Sequence, residues 1–188
     1  MALKEFIQRC LEQQTTSLMQ SLDGLTPQEL AWCPDPQCMS IGFIVWHMSR
    51  AEDFLIQSLI KGAPQLWETG WAERFHRVPA NPMDNGFGFT AEQVAAFQLP
   101  AASELLAYAD ATRANAVAYL QSVDDATLEQ MTVASPFGGR LTLASVYQQF
   151  IWEVNQHGGQ IAYLRGMQRG IENPMQLGSV FEGAQQAS

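Results

Sequence analysis

Three side chains in this sequence have the types and spacing for metal chemistry: His47, Glu153 and His157. Glu153 and His157 are four residues apart, so on a helix they stack on neighbouring turns of one face. The same face carries Val146, Phe150, Ile161 and Leu164, the composition of a buried stripe. A carboxylate in such a stripe is costly unless a cation or hydrogen-bond donors meet it. His47 lies mid-way along a second helical pattern, sharing its face with Ile44, Ala51 and Phe54. Two imidazoles and one carboxylate around a divalent ion leave coordination positions open for water or substrate. That donor set suits catalytic zinc. It also suits non-haem ferrous iron, and nickel or manganese remain open alternatives. An ion so held would lower the pKa of a bound thiol or water and supply a nucleophile at neutral pH.

The same residues carry a second reading. A histidine on an apolar helix face commonly bonds a backbone carbonyl, and Glu153 could pair with Arg50, Arg113 or Arg165. No residue stands out as a separate general base, so the catalytic residues beyond the metal ligands are left unassigned. Gln160, one turn beyond His157, reads as a packing or supporting amide. Arg165 either meets an anionic substrate or complements the end of its helix. Trp67, Trp71 and Phe75 either roof a pocket or pack in the core, and the third histidine, His76, is expected in an exposed loop.

Four long elements must position these groups. Apolar periodicity predicts helices over about 3–22, 40–60, 100–122 and 142–168. Thr26-Pro27-Gln28-Glu29 reads as a capping box opening a short helix. A helical turn or two is expected from Thr90 to near Phe97, and another short helix between Asp124 and Val133. Pro136-Phe137-Gly138-Gly139 reads as a turn, in the form of a tight hairpin at most. Residues 62–100 break the period with prolines, glycines and aromatics, and a loop this long usually covers something. The expected fold is all-α: an up-down four-helix bundle with a long aromatic-rich loop between the second and third long helices. In such a bundle the mid-points of two core-facing helices approach, which brings His47 towards Glu153 and His157. One domain over 1–170 is expected, followed by a C-terminal tail over 171–188.

Composition narrows the partners. The net charge of −9 provides no basic stripe, so neither nucleic acid nor an anionic membrane surface is expected as a partner. No apolar run approaches the ~18–20 residues that span a bilayer. The start, Met1 to Phe6, lacks a basic-then-apolar leader. Cys10, Cys33 and Cys38 are odd in number and lack CxxC spacing, so neither a disulfide framework nor a thiolate zinc site is expected. Cys33 and Cys38 read as small buried hydrophobes. A cytoplasmic protein acting on a small-molecule substrate is the expectation.

Two segments carry a family resemblance. Ser40-Ile41-Gly42-Phe43-Ile44-Val45-Trp46-His47-Met48-Ser49-Arg50-Ala51-Glu52-Asp53 and His157-Gly158-Gly159-Gln160-Ile161-Ala162-Tyr163-Leu164-Arg165-Gly166 resemble the DinB/YfiT-like superfamily. The intervening Gln65-Leu66-Trp67-Glu68 and Gly70-Trp71-Ala72-Glu73-Arg74-Phe75 resemble one of its subgroups. The resemblance spans about residues 1–170. It implies a four-helix bundle, usually a homodimer, with one divalent metal held by three histidines. His47 matches the first of these and His157 the last, while Glu153 stands where the family commonly has the remaining histidine. Characterised members include S-transferases that use low-molecular-weight thiols, a thiol-dependent maleylpyruvate isomerase and domains assigned as metal-dependent hydrolases. The resemblance therefore implies a thiol S-transferase or hydrolase using zinc, nickel or iron. The alternative is a non-catalytic dimeric binding or stress-response protein that keeps the fold and the site.

Overall fold

A computed structural model describes residues 1–77, 81 and 83–170. Four long helices form the body: α1 (Leu3–Leu22), α3 (Ile41–Asp53), α6 (Ala102–Ser122) and α8 (Leu143–Arg169). Shorter helices join them: α2 (Pro27–Ala31), α4 (Trp71–Arg74), α5 (Ala91–Ala95) and α7 (Asp125–Gln130). α1 packs along α8, and α3 packs on both α6 and α8. The fold is all-α, as the apolar periodicity predicts. Its one departure among the described residues is a two-stranded antiparallel hairpin, β1 (Thr132–Ala134) with β2 (Arg140–Thr142), in which Val133 faces Leu141. The hairpin closes around the Pro136–Gly139 turn, with Gly138 and Gly139 at positive φ. The tail expected over 171–188 lies outside the described residues.

Local sequence sets the helix ends. Thr26 and Glu29 form the capping box at the start of α2, with Pro27 at its first position. The Ser40 side chain accepts from the Phe43 N–H at 3.2 Å and starts α3. Thr142 caps α8 by accepting from the Ser145 N–H. α3 is the most buried helix, with Ile41 through Arg50 all buried. A helix hydrophobic all round belongs at the centre of a fold, and α3 correspondingly packs against α2, α6 and α8.

After Asp53 the coil widens into a π-helical segment, Phe54–Ile60, closed by the Lys61 N–H bonding to Ile56 O. Periodicity over 40–60 does not distinguish this widening from a continuous α-helix. Asp53 anchors the chain that follows. Its two carboxylate oxygens accept from the Leu66 and Trp67 N–H groups at 3.0 and 2.8 Å, and Oδ2 also accepts from the Tyr108 hydroxyl. A 3-10 turn, Leu66–Thr69, starts there. Burial raises the Asp53 pKa, against these hydrogen bonds and the charge of Arg50, which lower it.

Of the two readings of Trp67, Trp71 and Phe75, pocket roof or core, the structure shows the core. Trp67 and Phe75 are core residues, and their rings meet each other and Tyr108. Trp71 packs on the same core, and the guanidinium of Arg74 lies over its ring. On α6 the inward residues are Leu105, Tyr108, Thr112, Ala116 and Leu120. No helix among the described residues is long and apolar enough to cross a membrane.

Candidate metal centre

Helix α3 presents His47 and helix α8 presents Glu153 and His157 to one point. One oxygen of Glu153, Oε1, lies 3.3 Å from Nε2 of His47 and 3.3 Å from Nε2 of His157. One ligand atom from each of the three residues falls within 4.8 Å of the others, so the group could hold a metal ion. The two imidazole rings meet edge to face, with centroids 4.9 Å apart. Both histidines are buried, and Glu153 is half-buried at the edge of its stripe. Val154, not Glu153, is the fully buried neighbour on α8.

The far nitrogen of each ring has a fixed acceptor. His47 Nδ1–H donates to the backbone carbonyl of Asn85 at 2.5 Å. His157 Nδ1–H donates to Oε1 of Gln160 at 2.7 Å. A carbonyl can only accept, so the proton of each neutral ring belongs on Nδ1. The lone pairs of both Nε2 atoms then face a carboxylate oxygen. Three electron-rich atoms pointing at one another require a cation between them. A proton on His157 meets the Glu153 oxygen in part, and a metal ion is the other cation that these three atoms could hold. Outer acceptors of this kind are the usual means of aiming a metal-binding imidazole.

The electrostatics follow from this geometry. Hydrogen bonds from His157 and His47 hold the Glu153 carboxyl down to about 2, against the effect of partial burial. Burial works against charge on His157, but its bonds to Glu153 and Gln160 and the Glu153 charge outweigh it and raise its pKa. As an imidazolium, His157 uses both N–H groups, one to Gln160 and one to Glu153.

None of the three arginines offered as a partner for Glu153 is spent on it. Arg113 pairs with the buried Glu52 at 2.8 Å, bonds the Leu11 carbonyl and also reaches the Thr15 hydroxyl. Arg165 donates to the carbonyls of Ser21 and Asp23, tying α8 to the end of α1. Arg50 is fully buried between Gln65, Asp53 and the ring of Trp67. Its Nε donates to the Asp84 carbonyl, one residue before the carbonyl that holds His47. Arg50 and His47, one turn apart on α3, thus grip consecutive peptide groups of one loop. His76 is exposed and stands apart at positive φ. Cys33 and Cys38 are half-buried free thiols, more accessible than expected.

Gly86 allows that loop to approach. It adopts φ +89°, and a Cβ there would come within 2.9 Å of Phe43 and 3.0 Å of Trp46. Asn85-Gly86 is the sequence signal that sequence reasoning passed over. Two cavities border the cluster, one of about 510 Å³ and one of about 440 Å³. His47, Glu153, Phe87 and Trp152 line both. The aromatic cover is therefore Phe87 and Trp152, not Trp67, Trp71 and Phe75.

Comparison with known proteins agrees with this architecture. The chain is similar to a solved structure described as a conserved protein from Enterococcus faecalis. The match has a TM-score of 0.77 at 22% identity and covers 89% of this chain and 97% of that one. At that identity the likeness concerns the fold. No curated protein matches the chain. The family model of the DinB superfamily matches residues 11–161, a span that contains His47, Glu153 and His157 and most of all four long helices. The chain belongs to the DinB superfamily.

Proposed function

We propose that this protein is a metal-dependent enzyme of the thiol S-transferase or hydrolase type, with His47, Glu153 and His157 as the ligands of one divalent ion. The observation that carries the reading is the convergence of two Nε2 atoms on one carboxylate oxygen beside open cavities, with both Nδ1 atoms already committed. A closed structural site would have no such opening. An ion of this class, zinc, nickel or iron, supplies Lewis-acid activation of a thiol or water. The chain's own part is to aim the ligands and to exclude bulk water. Asn85 and Gln160 hold the imidazoles in the Nδ1–H tautomer. Glu153 brings a negative charge where the family resemblance implies a neutral imidazole, so a loaded centre would carry one unit less positive charge. Three free cysteines fit a reducing cytoplasm.

The test has two stages. Untagged protein is titrated with zinc, nickel and ferrous ions, and uptake of about one ion per chain is expected, lost in His157→Ala. Loaded protein is then given a low-molecular-weight thiol with a soft electrophile, and separately an activated ester, and thiol consumption and ester hydrolysis are followed. Uptake of metal without thiol consumption or ester hydrolysis would reject the enzymatic reading and leave a metal-binding protein.

We also propose a homodimer paired through α8. Tyr163 and Met167 are 70% and 50% exposed, and Gly159, one turn before Tyr163, has open space where a side chain would stand. An exposed apolar stripe on a long helix is a self-complementary surface for a two-fold axis. Light scattering should give a dimer for the wild type and a monomer for Tyr163→Asp. A wild-type monomer across micromolar concentrations rejects the pairing.

A further inference from the structure

The larger cavity has a composition that restricts what can enter it. Its walls come from three parts of the chain: Leu55 and Leu59 of the π-helical segment, Phe137 and Leu141 of the hairpin, and Phe87 and Trp152 at the rim. Among the described residues no lysine or arginine lines it. Its ionisable groups are His47 and Glu153, which lie together. The remaining polar side chains, Asn85, Ser135, Ser145 and Gln149, are uncharged. The volume of about 510 Å³ is that of a small-molecule site. Phe87 and Phe137 are 77% and 84% exposed, so the rim holds apolar surface that a bound molecule would cover.

We propose that this cavity binds the body of an uncharged, largely apolar small molecule, whose one polar end is directed at His47 and Glu153. Direction of that end rests on the metal-centre reading above, whereas the selectivity of the walls does not. An anionic group on the body would lose its hydration and find no cation, while facing the Glu153 carboxylate. A cationic group would find only Glu153, whose near oxygen is already shared by two imidazoles. An apolar body loses nothing on entry and gains contact with aromatic and branched side chains on several sides. The substrate class of the site is therefore a neutral molecule with a hydrocarbon or aromatic body, not a dicarboxylate or a phosphate ester.

Two dyes with one skeleton test this on the full chain stripped of metal. N-phenyl-1-naphthylamine is neutral, and 8-anilino-1-naphthalenesulfonate carries one added sulfonate. Fluorescence titration should show the neutral dye binding at least about tenfold more tightly, the effect of one unpaired charge near a carboxylate. Gln149→Arg puts a cation on the exposed wall. It should improve sulfonate binding by about tenfold and weaken the neutral dye, a gain that misfolding cannot mimic. Equal or tighter wild-type binding of the sulfonate overturns the proposal, as does no binding of the neutral dye. Insensitivity of both dyes to Gln149→Arg places them elsewhere and also overturns it. If Phe137→Asp splits a dimer and the neutral dye binds only the monomer, a second copy occupies the cavity and the proposal fails. Expected dye behaviour with no metal uptake would remove the metal reading alone.

Discussion

Gln160 determines which nitrogen of His157 faces Glu153. Its amide oxygen lies 2.7 Å from Nδ1, one turn further along α8, and holds that nitrogen's proton away from the cluster. The Gln160 side chain thus acts on the centre without touching the point where the three ligand atoms meet. Gln160→Leu removes the acceptor and frees the ring to rotate. Zinc affinity should fall by roughly 10–100-fold, the usual cost of losing an outer partner of a metal-binding histidine. Gln160→Glu restores an acceptor and should recover most of the loss. Calorimetric titration checks both variants, and equal affinity in wild type and Gln160→Leu would mean that His157 is not a ligand.

The clustering of His47, Glu153 and His157 and the four helices were legible in sequence for one reason: both are expressed as helical period. His47 shares a face with Ile44 and Phe54, and His157 with Ile161 and Leu164, so placing the helices also places the histidines. What surrounds them was not legible. The acceptor of His47 is a main-chain carbonyl at Asn85, and a backbone atom leaves no residue-type signal. The cavity wall at Phe137 and Leu141 comes from a hairpin whose turn the sequence marks but whose three-residue strands are too short for a period-2 pattern to register. Aromatic content alone left Trp67, Trp71 and Phe75 between a pocket roof and the core. Trp67 is core because Asp53 caps the turn that carries it and holds the ring against Tyr108.

Metal binding should depend on pH with a definite sign. His157 has a raised pKa in the metal-free protein, so protons compete for Nε2 at pH values above the ordinary histidine value of 6.5. Affinity should fall as pH drops through that raised value, because the ion must displace the proton. The metal-free fold behaves differently. Stability from the raised His157 pKa is fully present below 6.5 and is lost as pH rises through the folded value. Stability from the depressed Glu153 pKa is present above about 4.5 and is lost as pH falls towards about 2. Melts with and without zinc from pH 5 to 8 should therefore diverge as pH rises. Parallel curves would exclude a histidine ligand.

Arg113 separates core electrostatics from the metal centre. It meets Glu52 inside the bundle, where burial raises the carboxyl's pKa against the pairing that lowers it. Arg113→Met leaves that carboxylate unpaired, which costs ~3–5 kcal/mol, on the order of 10 °C in melting temperature. Zinc stoichiometry below the melting transition should not change, since Arg113 takes no part in holding Glu153. Loss of zinc binding in a still-folded Arg113→Met protein would show that the two clusters are coupled.

Glu153 stands where the family resemblance implies a third histidine, and it discriminates among all the readings of the site. Its carboxylate has no arginine partner among the described contacts, and its nearest polar neighbours are two imidazoles. Without a cation, Glu153→Gln would merely exchange a charged acceptor for a neutral one at a half-buried position. If Glu153 is a ligand, the same change removes the only anionic donor and should weaken zinc binding while the bundle stays folded. Glu153→His would supply a third imidazole and keep the ion bound, with one more unit of positive charge at the centre. That added charge should lower the pKa of a bound thiol or water further, so the activity profile of Glu153→His should shift to lower pH than the wild type. Free zinc at a hundredfold excess over its Kd adds about 2.7 kcal/mol to a ligand-bearing native state. Wild type and Glu153→His should both gain melting temperature from that addition, and Glu153→Gln should gain much less. Three melting curves indifferent to zinc would remove Glu153 from the ligand set, and the open catalytic centre would fall with it.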